Sequence, residues 1–255
     1  MKLKAIAACT ALLITACASE PEAPPAADAA TVRTVTGGEI VGFIDADTGA
    51  QVWQGVPFAA APSGELRWRA PRPAPGWDQT LEALAHPEMC PQITNALNAE
   101  ATGADPGQLV GSEDCLKLDV YAPAGAGPED ADRPVMVWIH GGANVWGSAS
   151  QYDGAQLASD QDVVVVVIQY RLGPLGFFAH PDIAVDAQLE ADTAANFALL
   201  DQNAALEWVR DNAVQFGGDA SNVTIFGESA GGHNVAGLMA SPLAEGLFHR
   251  AIIQS

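Results

Sequence analysis

Val223-Thr224-Ile225-Phe226-Gly227-Glu228-Ser229-Ala230-Gly231-Gly232 passes within ten residues from a β-branched and aromatic run to a glycine-flanked serine. Such a run suits a buried strand. Gly227-Glu228-Ser229-Ala230-Gly231 matches the G-x-S-x-G pattern of a nucleophile elbow, a sharp turn from strand to helix. The chemistry explains the pattern. A serine hydroxyl is a weak nucleophile until a base takes its proton, so it must project clear of its own backbone. A tight turn does this by holding the serine in strained φ/ψ, and Gly227 and Gly231 leave room for it. The helix that follows aims its N-terminal amides where negative charge develops in acyl transfer. An ordinary turn serine is the alternative, and the strand before it argues for catalysis.

Upstream, Val135-Met136-Val137-Trp138-Ile139 and Val163 to Ile168 are continuous apolar runs. Strands of a parallel sheet covered by helices on both faces read this way. A helix is expected around Ala194 to Phe216, with Phe197, Leu200, Ala204 and Trp208 on one face and Gly217-Gly218 ending it. A further helix from Ala230 and the run Ala251-Ile252-Ile253 extend the strand–helix–strand rhythm. Leu116 to Tyr121 alternates as a half-exposed strand does. Gly38 to Ile44 and Val52 to Gly55 form a hairpin across Asp47-Thr48-Gly49. Prolines punctuate 57–76, an ordered surface loop. The fold class expected is α/β: a mostly parallel central sheet flanked by helices, with an N-terminal antiparallel hairpin.

Directly after the strand at 135–139 stands His140-Gly141-Gly142-Ala143, at the carboxyl end where open α/β sheets place their sites. Small residues there let backbone amides approach a substrate oxygen. The segment fits the loop that completes an oxyanion hole together with the amide after the nucleophile, here Ala230.

The 255 residues carry 31 acidic against 11 basic side chains, a net charge of −20. Nucleic-acid binding, which needs clustered Lys and Arg, is disfavoured. Lys2 and Lys4 precede the apolar run Ala5 to Ile14 and small residues, the pattern of a secretory signal over 1–16. Ile14-Thr15-Ala16-Cys17 resembles a bacterial lipobox, which implies lipid on Cys17 and export, with Ala18 and Ser19 pointing to the outer membrane. The membrane would then be met only through that anchor. Residues 17–34 read as a flexible Pro/Ala-rich linker and 35–255 as the folded part. Cys9 leaves with the leader, so Cys90 and Cys115 remain. An oxidising compartment favours a disulfide between them, two buried thiols being the alternative. Metal-ligand spacing is absent, and no cofactor is expected. Oligomeric state is not legible.

Taken together these residues resemble the type-B carboxylesterase (cholinesterase-like) family of the α/β-hydrolase fold. The segments that carry the likeness include G-V-P-F-A (55–59), S-E-D-C-L-K-L-D-V-Y-A-P (112–123), H-G-G-A (140–143), Y-R-L-G-P-L-G-F (170–177), F-G-G-D (216–219) and F-G-E-S-A-G-G (226–232). The resemblance implies hydrolysis of small-molecule carboxylic esters, with Ser229 as acyl-forming nucleophile and Gly142, Ala143 and Ala230 as oxyanion-hole amides. It implies Cys90–Cys115 as the family's first disulfide and Glu228 as the acidic residue before the serine, against a plain turn carboxylate. Ala143 stands where many members have a third glycine, and Asn144 replaces a usual aromatic. The family's triad acid and histidine lie further on than the 26 residues after Ser229, so the chain reads as the N-terminal portion of a longer esterase. A non-catalytic cholinesterase-like surface protein and an inactive truncated fragment are the competing readings.

Overall fold

The computed structural model describes residues 24–255. The leader and Cys17 lie outside the described residues. Two small strands open the fold, β1 (Arg33–Val35) and β2 (Gly38–Val41), followed by β3 (Phe43–Ile44) and β4 (Gln51–Pro57). Short strands β5 (Leu81–Glu82), β6 (Gln92–Ile93) and β7 (Leu109–Val110) and the one-turn helix α1 (Ala99–Thr102) follow. The central elements are β8 (Lys117–Ala122), β9 (Arg133–Ile139), α2 (Ala155–Gln161), β10 (Val164–Ile168), α3 (Gly173–Gly176), α4 (Phe197–Asn212), β11 (Gly218–Glu228), α5 (Ala230–Ala240) and β12 (Arg250–Gln254).

Seven strands form the main sheet in the order β12-β11-β9-β10-β8-β4-β3. β12, β11, β9 and β10 run parallel, and β8, β4 and β3 continue the sheet antiparallel. Val137 of β9 lies between Val166 of β10 and Ile225 of β11. Chain order reverses at β9, since β10 takes one side of it and β11 the other. Successive crossovers then fall on opposite faces, and a crevice opens beyond the carboxyl ends of β9 and β11.

The two faces have separate cores. Val164, Val166 and Ile168 pack with Leu206 and Val209 of α4 and Val235 of α5 on one face. Val165 and Val167 pack with Ala155 and Ala158 of α2 and Tyr121 on the other. β10 is therefore buried on both faces, as its unbroken valine run predicts. β9 departs from that expectation. Val135, Val137 and Ile139 are buried, whereas Met136 and Trp138 are half-buried. α2 packs over β8 and β10, so Trp138 meets instead the aromatic rings of Tyr152 and Phe226 at 5.1 and 4.8 Å.

Three other expectations are corrected. β8 is buried rather than half-exposed. Asp119, fully buried, accepts from Gly55 N and is bonded to His86 Nδ1 at 2.6 Å, so a charged residue can point inward there. Burial pushes the Asp119 carboxyl up, against the opposing pull of His86. The run 38–44 is two strands in two sheets: β2 pairs with β1 and β5, and only β3 forms the expected hairpin with β4. The break falls at Gly42, where a Cβ would lie 2.0 Å from the Val52 carbonyl oxygen. Finally, the stretch read as a linker to residue 34 already holds structure. Thr31 is buried, its Oγ1 accepts from Gly42 N at 2.9 Å, and its carbonyl accepts from Trp53 Nε1 at 2.7 Å.

The helix expected around 194–216 is α4 extended by a 3-10 turn over Ala213–Phe216, ended by Gly217 at φ 81°. α2, with its polar and small residues, had no counterpart in the sequence reading.

Candidate active site

β11 ends at Glu228, and α5 begins at Ala230. Ser229 between them has φ 55° and ψ −121°, a conformation disfavoured for a residue with a Cβ. Its amide donates to the Gln254 carbonyl of β12 at 2.9 Å, which fixes the turn from the neighbouring strand. Gly231 is required by close approach: a Cβ there would lie 2.0 Å from the Ile139 carbonyl oxygen. The helix start can therefore press against the end of β9. The side chain of Ser229 is half-buried at the mouth of the crevice.

The loop after β9 lies against this turn. A Cβ on Gly141 would lie 3.3 Å from Ser229 Cβ and 2.8 Å from the Glu228 carbonyl oxygen. The structure thus brings together the two motifs that lie almost ninety residues apart in sequence. Among the described residues, the N–H groups of Gly142 and Ala143 have no hydrogen-bond partner. Ala230 N belongs to the first turn of α5, whose amides have no intrahelical acceptor. Three donors are left beside one serine, the set that can stabilise an oxyanion. Ala143 holds φ 55° although it is not glycine.

His140 is fully buried, stacked on Tyr170 at a ring separation of 4.4 Å. Its Nδ1 faces the Gly141 carbonyl at 2.9 Å, which places the proton on Nδ1. Burial pulls its pKa down to about 4. The unfolded chain takes up this proton near pH 6.5 but the native state holds out to about 4, so stability is full above 6.5 and falls as pH drops between them. A loss of about 3 kcal/mol over that window is expected, read as the urea midpoint against pH. His140→Phe should flatten that part of the profile.

Glu228 is exposed, with its carboxylate beside Gly141, where a Cβ would lie 2.9 Å from Oε2. Tyr152 nearby has its pKa raised by burial and by the negative charge of Glu228. The other histidines stand elsewhere. His86 binds Asp119, His180 caps a 3-10 turn, and His249 accepts from Val223 N. His233 is exposed on α5. His233 N donates to the Ser229 carbonyl at 3.1 Å, but among the described residues no histidine ring is hydrogen-bonded to Ser229.

Cys90 and Cys115 form a disulfide with a Cα separation of 5.1 Å. Its loop touches the site through a residue the sequence reading did not single out. Gln92 Nε2 donates to the Gly147 carbonyl at 2.9 Å, and Gly147 N donates to Gln92 Oε1 at 3.0 Å. Reduction of the disulfide should cost about 3 kcal/mol, by releasing the loop in the unfolded chain. Chemical denaturation with and without dithiothreitol checks this.

A strand–serine–helix turn facing a glycine loop at the topological switch of an open sheet defines an α/β-hydrolase. The chain belongs to the carboxylesterase family, whose model matches residues 28–255. It is 45 % identical over 235 residues to a human cocaine esterase, covering 89 % of this chain and 40 % of the relative. It is 46 % identical over 211 residues to the para-nitrobenzyl esterase of Bacillus subtilis strain 168, covering 82 % of this chain and 40 % of the relative. A thermophilic para-nitrobenzyl esterase structure superposes with a TM-score of 0.76 at 42 % identity, over 88 % of this chain and 44 % of that one. A Geobacillus stearothermophilus carboxylesterase gives 0.73 at 41 % identity, over 87 % of this chain and 42 % of that one. The chain spans about two-fifths of the length of these relatives.

Proposed function

We infer that the protein is a serine carboxylesterase acting on small-molecule carboxylic esters through an acyl-enzyme on Ser229. The observation that carries this reading is the strained serine at φ 55° set against a loop whose Gly142 and Ala143 amides are unpartnered. A strained turn of this kind persists where function needs it. Relatives named cocaine esterase and para-nitrobenzyl esterase support the substrate class.

In the reaction Ser229 Oγ attacks the ester carbonyl carbon and gives up its proton to a general base. The carbonyl oxygen becomes an oxyanion held by the amides of Gly142, Ala143 and Ala230. Collapse expels the alcohol, which takes a proton from the base, and leaves the acyl group on Ser229. Water then attacks the ester so formed as the base takes its proton, and the base returns that proton to Ser229 Oγ as the acyl–oxygen bond breaks and the carboxylic acid leaves. We assign the base and its carboxylate to a part of the protein outside these 255 residues, since none of the five histidines here stands at Ser229. Glu228 acts as a neighbouring charge on the loop. Cys17 carries lipid and anchors the exported protein; loss of palmitate label in Cys17→Ala supports this, and retained label refutes it.

The test is pre-steady-state hydrolysis of a para-nitrophenyl ester by the native protein. A burst of alcohol of about one per protein, with an acyl adduct seen by intact mass, is the expected result. Turnover with neither burst nor adduct when deacylation is slowed would overturn the acyl-enzyme.

A further inference from the structure

Asn234 lies five residues after Ser229 on α5 and is 4 % exposed. Its carboxamide forms a reciprocal pair with that of Asn144 on the loop after β9. Asn234 Nδ2 donates to Asn144 Oδ1 at 2.9 Å, and Asn144 Nδ2 donates to Asn234 Oδ1 at 3.3 Å. The Tyr170 hydroxyl donates to the His140 carbonyl at 2.7 Å, at the other end of the loop. One side chain of the serine's own helix therefore holds the far end of the loop at Asn144, while Tyr170 holds its near end at His140.

Between those two anchor points lie Gly142 and Ala143, the residues with unpartnered amides. The loop does not hold this shape by itself. Ala143 at φ 55° and Asn144 at φ 58° are both in the left-handed region that a Cβ disfavours. Outside restraint must select it. The third donor, Ala230 N, sits on the same helix as Asn234. A rigid helix turn thus separates the donor it carries from the side chain that places the other two.

We propose that Asn234 is a positioning residue, which through its carboxamide pair with Asn144 sets the loop-borne amides of Gly142 and Ala143 against the helix-borne amide of Ala230. The proposal rests on the reading of Ser229 as the acyl-forming nucleophile. A carboxamide suits the task because its donors and acceptor fix its orientation, whereas an apolar side chain would fill the space without specifying an angle. The amides remain the groups that touch the substrate oxygen.

Asn234→Leu in the native protein, close in volume, removes every bond of this network to α5. Its kcat per active site, counted by fluorophosphonate titration, should fall about 100-fold, because small misplacements of catalytic donors cost that much. KM should stay close to its starting value. Affinity for a trifluoromethyl ketone, which becomes tetrahedral at the serine, should fall in parallel with kcat/KM. Asn144→Leu should cost less in the Asn234→Leu background than alone, as expected of one shared network. Unchanged kcat per titrated site, even with a lowered thermal midpoint, would overturn the proposal. If Asn234→Leu does not fold, the half-buried Asn144→Leu supplies the same kinetic test. Ser229→Ala separates the two levels. An active Ser229→Ala protein overturns the nucleophile itself, whereas an inactive one beside a fully active Asn234→Leu overturns only the positioning role.

Discussion

Ser229→Ala in the native protein is expected to lower kcat for an ester by about a million-fold, the scale seen when a serine nucleophile is removed. Its fold should survive. The turn is fixed by the Ser229 amide on the Gln254 carbonyl and by the packing of Gly231 against Ile139, not by the hydroxyl. Steady-state hydrolysis of a para-nitrophenyl ester beside a thermal melt checks both halves. The residual rate expected is that of the amides and binding alone. Turnover close to that of the unsubstituted protein would remove Ser229 from the reaction.

The largest expected effect on stability is at Asp201→Ala. Asp201 is fully buried and accepts from Arg171 three times: from its amide at 3.0 Å, Nε at 2.8 Å and Nη2 at 2.6 Å. Arg171 is itself 2 % exposed, its guanidinium 5.3 Å from the centre of the Phe197 ring. Removing the carboxylate leaves a cation and an amide inside the protein without their partner. Breaking a buried pair from one side costs about 3–5 kcal/mol. At this size that is a fall of about 10 °C in Tm. Because Arg171 follows Tyr170 directly, the substitution also loosens the ring on which His140 is stacked. A shift in Tm of less than about 2 °C would show that water or another group takes over the cation.

How much of this was legible depended on how local each cause is. The elbow at Ser229 and the loop at His140 announce themselves because close backbone approach leaves a short glycine pattern in the sequence, even where the backbone approached is distant, as the Ile139 carbonyl is from Gly231. β10 was legible because both its faces are covered, so every residue is apolar. α4 was legible from its spacing and from Gly217 behind it. What escaped depends on partners far along the chain. Asp119 looked like the polar side of an exposed strand, since its partner His86 lies 33 residues earlier. The break at Gly42 is caused by Val52 on another strand. Residues 29–34 resembled the linker before them because their order comes from Gly42, Trp53 and Ile40. α2 buries only alanines against the sheet, too faint a stripe to mark a helix. Asn144 drew notice as a departure from its family, but its meaning lay 90 residues on, at Asn234.

The acyl-enzyme on Ser229 is the claim on which the rest depends. Its most direct test is fluorophosphonate labelling of the native protein from its source organism, with the adduct mapped by peptide mass. The account predicts a single phosphonyl group on Ser229, absent from Ser229→Ala. An esterase that stays active in the presence of the probe, or that carries the group on another residue, would contradict it.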